Sequence, residues 1–350
     1  MIDDSAVSRT AVDLASFVEK TIFMRTLVTG GGGFLGRYIV EQLKAAGHEV
    51  RVLSRGAYPE LVRIGATVIQ ADLRNIQAVT DACDGIEAVF HTAAVPGIWG
   101  PWSTYHAINT IGTQNVIDAC KHQGVARLIY TSSPSVVFAG SDHLNADESL
   151  EYPSQWLCHY PHSKALAEQL VMAAHSEKLK TVSLRPHLIW GKRDNHLIPR
   201  LLQKARSGRL RIVGNGLNQV SMINVENAAA AHLQAETALR QHGRCGGKAY
   251  FINEVDPVNL WDWINEILAK ADLPPVTKQI SATMAYRVGA ILETIWKVLP
   301  GEPPMTRFVA SQLATSHVYS VQNAINDFDF RPIISVTDGM QKMQSDFQNL

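Results

Sequence analysis

A chain of 350 residues, 46% of them hydrophobic, can bury the core of two domains or of one large domain with an appended lobe. Its 32 Lys+Arg balance 32 Asp+Glu, and no local run of like charge appears, so nothing favours a nucleic-acid partner. The four cysteines, Cys83, Cys120, Cys158 and Cys245, are scattered with no CxxC, which suits free thiols in a reducing compartment and a cytoplasmic location.

Residues 1–23 read as an N-terminal extension. Asp3, Asp4, Arg9, Asp13, Glu19 and Lys20 interrupt any apolar core, so a secretory signal is not expected. The stretch 13–23 suits a short amphipathic helix, and Met24 is an alternative start. Thr26 to Thr29 is a β-rich run, followed by the turn Gly30-Gly31-Gly32-Gly33-Phe34-Leu35-Gly36 and a helical period over Tyr38 to Ala46 that Gly47 closes. Strand-like runs follow at 49–54, 67–72, 88–92, 127–132 and 181–185, with helical stretches between most of them. Such apolar runs, with few polar interruptions, predict an α/β fold with a doubly wound parallel sheet buried on both faces. The pattern loosens from about residue 187, where Gly191, Pro199, Gly208, Gly214 and Gly216 mark turns. The expected organisation is a dinucleotide-binding domain over 24–186 and a smaller, mainly substrate-binding lobe over 187–350. Ala249 to Ile252 is one more strand expected to return to the sheet, so the lobes interleave. No apolar run reaches the ~18 residues of a membrane span. The stretch Met284 to Leu299, broken by Arg287, Glu293 and Lys297, reads either as a helix packed on the lobe or as a peripheral membrane contact.

Gly30-x-x-Gly33-x-x-Gly36 lies between the first strand and the first helix, where the spacing has mechanical meaning. One glycine permits a tight turn, one admits a pyrophosphate to the backbone, and one lets helix pack closely on strand. Phe34 and Leu35 sit within this cradle. An NAD site usually has Asp or Glu about 20 residues on. Here the second strand ends in Ser54-Arg55, and a guanidinium pairs with a 2′-phosphate, so NADP(H) is preferred and NAD(H) remains possible. Asp72-Leu73 ends the third strand; Asp72 reads as a contact to the adenine edge or as a loop cap.

Tyr160 and Lys164 are four residues apart, with Pro161 suited to a first helical turn, so phenol and ammonium share a face. An unperturbed phenol titrates near ~10 and needs a nearby positive charge to exchange protons at neutral pH. Lys164 is expected to supply it.

These signals, with His91-Thr92-Ala93-Ala94, Asn109-Thr110-Ile111-Gly112, Tyr130-Thr131-Ser132-Ser133 and Leu184-Arg185-Pro186, resemble in order the extended short-chain dehydrogenase/reductase (epimerase/dehydratase) superfamily, from about residue 26 to 336. The resemblance implies a Rossmann fold and a catalytic set of Ser133, Tyr160 and Lys164. Asn109 would then be a cofactor or proton-relay neighbour, with Ser132 as the fallback serine. It also implies a homodimer paired through the helix of Tyr160. No metal is implied, and the thirteen histidines form no HExxH.

Ser133-Pro134-Ser135 departs from the Thr-Asp-Glu of sugar-nucleotide dehydratases, and Val220 stands where nucleotide-sugar relatives carry an arginine for a diphosphate. The segments 95–101, 134–138, 185–191 and 299–307 resemble instead the 3β-hydroxysteroid dehydrogenase branch, and within it the bacterial 2-alkyl-3-oxoalkanoate reductases of long-chain olefin biosynthesis. This implies an oxidoreductase interconverting a 3-oxo and a 3-hydroxy group on a bulky lipid-like substrate, with Tyr160 as proton donor or acceptor. The alternatives are a 3β-hydroxysteroid or sterol-4-carboxylate dehydrogenase and, in another class, a non-catalytic NADP(H)-binding sensor or scaffold. Trp99, Phe138, Trp190 and the 284–299 helix read as walls of an apolar pocket or as core, and His187, Arg193 and Arg307 as candidates to meet a substrate carboxylate.

Overall fold

A computed structural model describes residues 23–347, so the helix expected within 13–23 lies essentially outside the described residues. Seven strands form the main sheet: β1 (Arg25–Thr29), β2 (Glu49–Ser54), β3 (Thr67–Gln70), β4 (Ala88–His91), β5 (Arg127–Thr131), β6 (Lys180–Pro186) and β7 (Ala249–Ile252). Their order is β7-β6-β5-β4-β1-β2-β3, and every neighbouring pair is parallel. The uninterrupted apolar runs have their cause here, since β4 and β7 are buried at every residue.

The helices that position the site are α1 (Phe34–Ala45), α2 (Gly112–Gln123), α3 (His159–Ala173), α4 (Leu197–Arg206), α5 (Val225–Gln241), α6 (Ala282–Trp296) and α7 (Arg307–Ala314). One face of the sheet is covered by α1 and α5, where Ala228, Ala229, Ala231 and Ala235 let α5 lie close. The other face packs against Val116 and Ile117 of α2 and Ala167 and Val171 of α3. Strand order reverses between β1 and β4, and the crevice above their C-terminal ends is the place such sheets bind ligands.

Two boundaries differ from expectation for local reasons. Helix α1 begins at Phe34, straight off the glycine turn, so Gly36 is helical. Strand β3 stops at Gln70, because the Asp72 carboxylate accepts the Arg74 backbone N–H at 2.9 Å and turns the chain instead. The strand at 249–252 does return, pairing with Ser183 to Pro186. With α5 on the sheet, the stretch beyond residue 187 serves both layers.

The lobe has its own core, built on Trp190, Met222, Trp261, Trp263, Ile264 and Ile267. Helix α6 packs there through Ala285, Gly289 and Glu293, and a Cβ on Gly289 would lie 2.7 Å from the Arg307 nitrogen. Met284, Ile291 and Ile295 on its other side are exposed. Among the described residues no helix is long and apolar enough to cross a membrane. All four cysteines are buried and free.

Buried histidines make stability depend on pH. His91 joins β1 to α2, its ring nitrogens lying 2.6 Å from Thr29 Oγ1 and 2.9 Å from Thr113 Oγ1. Burial pushes it down to about 3, and pushes His187 and His232 down to about 4. Unfolded, each titrates near ~6.5, so below that pH the unfolded state binds more protons and stability rises with pH. This contribution is complete above pH ~6.5 and is lost as pH falls toward ~4, by up to about 1.4 kcal/mol per unit per histidine. Urea unfolding between pH ~7.5 and ~5 should show a falling midpoint; a flat profile would contradict the assignment.

Candidate active site

The turn after β1 explains its glycines by contact. Gly30 has φ +70°, and a Cβ there would lie 2.7 Å from the Ala93 backbone. At Gly36 a Cβ would lie 2.3 Å from the Gly30 carbonyl, so α1 sits directly on the turn. At Gly32 a Cβ would meet the Tyr58 ring at 2.1 Å, so the glycine leaves room for that ring over the turn. Above this turn run two adjoining cavities.

The first, about 190 Å³, is lined by Gly30, Gly33, Ser54, Arg55, Tyr58, Asp72, Leu73 and Val95, among others. The buried Ser54 hydroxyl accepts the Gly32 N–H at 3.4 Å, while Arg55 is exposed at the rim. Asp72 is held by Arg74 through two further bonds of 2.9 and 2.8 Å, and that guanidinium lowers its carboxyl to about 2. The second cavity, about 330 Å³, is lined by Gly30, Gly33, Phe34, Leu35, Gly36, Ser132, Ser133, Tyr160 and Lys164, with Asp194 and His196 from the lobe. A bare glycine backbone at a helix N-terminus, continued by serine, tyrosine and lysine donors, fits a dinucleotide with its phosphates over Gly33 to Gly36. Every residue expected at the cofactor lines one of these two cavities except Asn109.

Asn109 is buried on the π-helical turn His106–Ile111, and its amide is spent inside the protein. Its Oδ1 accepts the Val95 N–H at 2.7 Å, while Nδ2 donates to Val95 O at 3.1 Å and Ser163 Oγ at 2.9 Å. Ser163 Oγ in turn donates to Tyr160 O at 2.8 Å. Asn109 therefore positions the loop after β4 and the first turn of α3.

Ser133 lines both the second cavity and a third, about 330 Å³, that also holds Tyr160. The Ser132 hydroxyl is sealed without a partner, so Ser133 is the serine that faces both spaces. Burial raises the Tyr160 hydroxyl to about 12, opposed by a hydrogen bond with Ser133. Lys164 is 2% exposed; its Nζ donates to Thr131 O at 2.5 Å and stands 4.1 Å over the Tyr130 ring. Burial lowers it to about 7, with Glu168 opposing. The expected lowering of Tyr160 by Lys164 is therefore not present in the protein alone, because desolvation penalises both charges.

The third cavity is walled by Pro96, Ile98, Leu188, Phe308 and Tyr319, and also carries His187, Arg200 and Gln312. A fourth, about 590 Å³, shares Ile98 and adds Trp99, Tyr105, Trp156, Trp296 and Arg307. Trp99 and α6 thus line a cavity as expected. Trp190 does not: it is fully buried against Trp263. Phe138 is buried too, edge-on to Phe308 and His317. Of the candidate carboxylate partners, His187 lines the third cavity, whereas Arg193 is bound by Glu41 at 2.7 and 2.8 Å beside Tyr38, and Arg307 by Glu293 at 2.7 Å. Tyr58, His196 and Arg200 carry no local motif and were not legible beforehand.

The sequence profile of the 3-beta hydroxysteroid dehydrogenase/isomerase family matches residues 27–281. The chain is 46% identical over 327 residues to the 2-alkyl-3-oxoalkanoate reductase of Stenotrophomonas maltophilia, covering 92% of this chain and 99% of that protein. To the sterol-4-alpha-carboxylate 3-dehydrogenase, decarboxylating, of Mus musculus it is 33% identical over 330 residues, covering 92% and 91%. Among solved structures, a DesIV double mutant (dTDP-glucose 4,6-dehydratase) from Streptomyces venezuelae with NAD and DAU bound has a TM-score of 0.72 at 21% identity, covering 93% of this chain and 97% of that one. That likeness is one of fold.

Replacing Asn109 by Ala strands the Val95 amide and carbonyl and frees Ser163. Denaturant unfolding should show a loss of about 1–3 kcal/mol, and titration with a nicotinamide dinucleotide a weaker complex.

Proposed function

Because this chain belongs to the 3-beta hydroxysteroid dehydrogenase/isomerase family of nicotinamide-dependent oxidoreductases, we propose that it is an NADP(H)-dependent reductase of a 2-alkyl-3-oxoalkanoate. The observation that carries this reading is that Ser133 and Tyr160 stand on the wall common to the cofactor-side cavity and the apolar third cavity. A carbonyl between them would be open to both.

When bound, the nicotinamide supplies the hydride. Ser133 holds the substrate oxygen, and Tyr160 donates its proton to that oxygen as it gains charge. In the reverse direction the tyrosinate takes the proton back. Burial keeps the Tyr160 hydroxyl protonated at neutral pH in the protein alone, the form that can donate to a developing alkoxide. The Lys164 ammonium has three donors and spends one on Thr131, leaving others for a ribose. Ser54 and the exposed Arg55 suit a 2′-phosphate, and no carboxylate stands in their place. The apolar third cavity meets the fourth at Ile98, where Trp99, Trp156 and Trp296 give the fourth an apolar side, which suits a substrate carrying two alkyl chains.

A second reading, a sterol-4-carboxylate dehydrogenase, is favoured by the 33% identity to the murine enzyme. NADPH consumption with a long-chain 2-alkyl-3-oxo acid against a 3-oxosteroid separates the two; turnover of the steroid alone would reverse the order.

Tyr160→Phe should lower the reduction rate by about 10²–10⁴ while leaving NADPH affinity within about twofold. Undiminished activity would remove Tyr160 as the proton donor, and absence of turnover in the wild type itself would favour a non-catalytic nucleotide-binding role. Arg55→Ala should weaken NADPH by about 10–100-fold, measured by fluorescence titration, and leave NADH unchanged.

A further inference from the structure

The reductase reading leaves the acid end of the substrate without a partner. We propose that Arg200 binds the substrate carboxylate, so that the site selects a free 3-oxo or 3-hydroxy acid over its ester or a neutral ketone. The proposal rests on the reductase reading and adds a specificity residue to it.

Arg200 is the one Lys or Arg among the described residues lining the third cavity, on the side of Ser133 and Tyr160 away from Lys164. It lies on α4, whose start is fixed from the cofactor side: the Asp194 carboxylate accepts the N–H groups of His196, Leu197 and Ile198 at 2.7, 3.1 and 2.9 Å. Asp194 itself lines the second cavity, so one helix start ties the guanidinium to the cofactor end.

Other arginines in the region are held by shorter pairs with a carboxylate. Arg185 is fixed by Glu168 at 2.7 and 3.0 Å, and Arg193 and Arg307 are held by Glu41 and Glu293 as described. Among the described residues, the ion-pair partner of Arg200 is Glu302, at 3.5 Å, with the two side chains 55% and 45% exposed. An exposed pair at that distance contributes little and exchanges readily for another carboxylate. A substrate carboxylate would take the place of Glu302 on the guanidinium.

His187 is not the anion receptor. Its Nδ1 lies 2.6 Å from Ser221 O, an acceptor only, which places the ring proton on Nδ1 and leaves Nε2 as a lone pair. Burial keeps it uncharged at neutral pH, so it suits a donor such as a hydroxyl. Ile98, Leu188 and Phe308 line the same cavity and offer an acid no partner, whereas a neutral ligand would leave the guanidinium on Glu302 and gain nothing from it.

The test uses the stable hydroxy acid, because 3-oxo acids lose carbon dioxide. Oxidation of a 2-alkyl-3-hydroxyalkanoic acid by NADP⁺ is compared with that of its methyl ester, in wild type, Arg200→Gln and Arg200→Lys. The wild type should prefer the acid. Arg200→Gln should raise KM for the acid by about 10–100-fold with kcat within about threefold, and leave the ester unchanged; Arg200→Lys should recover part of the loss. Calorimetric affinity of the acid for the NADP⁺-loaded protein should fall by the same factor. Equal losses on acid and ester, or none on either, overturn the role of Arg200 and leave the reductase reading standing. Failure of the wild type to oxidise either compound defeats both. NADP⁺ affinity and the unfolding midpoint of Arg200→Gln should match wild type, which separates a binding loss from misfolding.

Discussion

The constraint on which the site depends is the burial of Lys164. An ammonium removed from water is costly unless it is paired, and here the pairing is sparse: the Thr131 carbonyl, the face of Tyr130, and the field of Glu168, which is itself occupied by Arg185 and Tyr152. To provide even this, β5 must end with its carbonyl turned toward α3. Pro161 must sit in the first turn of α3 so that Tyr160 and Lys164 emerge one turn apart. The Asn109 amide then holds that turn through Ser163. Much of the fold around the crevice is an arrangement for keeping one lysine dry and in line with a half-buried tyrosine.

That dryness also sets the resting chemistry. Both groups are pushed toward their neutral forms, the tyrosine to about 12 and the lysine to about 7. Reading a YxxxK spacing as a preformed charge pair misses this, because spacing reports direction and not dielectric. The site rests as a proton donor.

Much of the architecture was legible because it depends on local chemistry. The ranges 49–54 and 249–252 coincide with β2 and β7, since apolar runs buried on both faces have only one use in a parallel sheet. The glycine turn was legible because its spacing is a steric statement. Trp190 and Phe138 were ambiguous because a large aromatic suits a pocket wall and a core equally, and the structure puts both in the core. Tyr58 and Arg200 were invisible because nothing near them in the chain says what they face. Among arginines, sequence offers no distinction between those paired at 2.7 Å with Glu168, Glu41 and Glu293 and one held at 3.5 Å by Glu302; only tertiary placement separates them.

The return of β7 to the outer edge bears on how the chain is made. Synthesis from the N-terminus completes β6 at residue 186, yet its partner ends at residue 252, 66 residues later. Throughout that interval a strand buried along nearly its whole length has an open side, with unpaired amide and carbonyl groups in a row. The layer of α5 that shields the same region also arrives late, over 225–241. The sheet cannot close while it is being made, and the growing chain passes through a stage in which an edge buried in the finished protein is a template for any other strand.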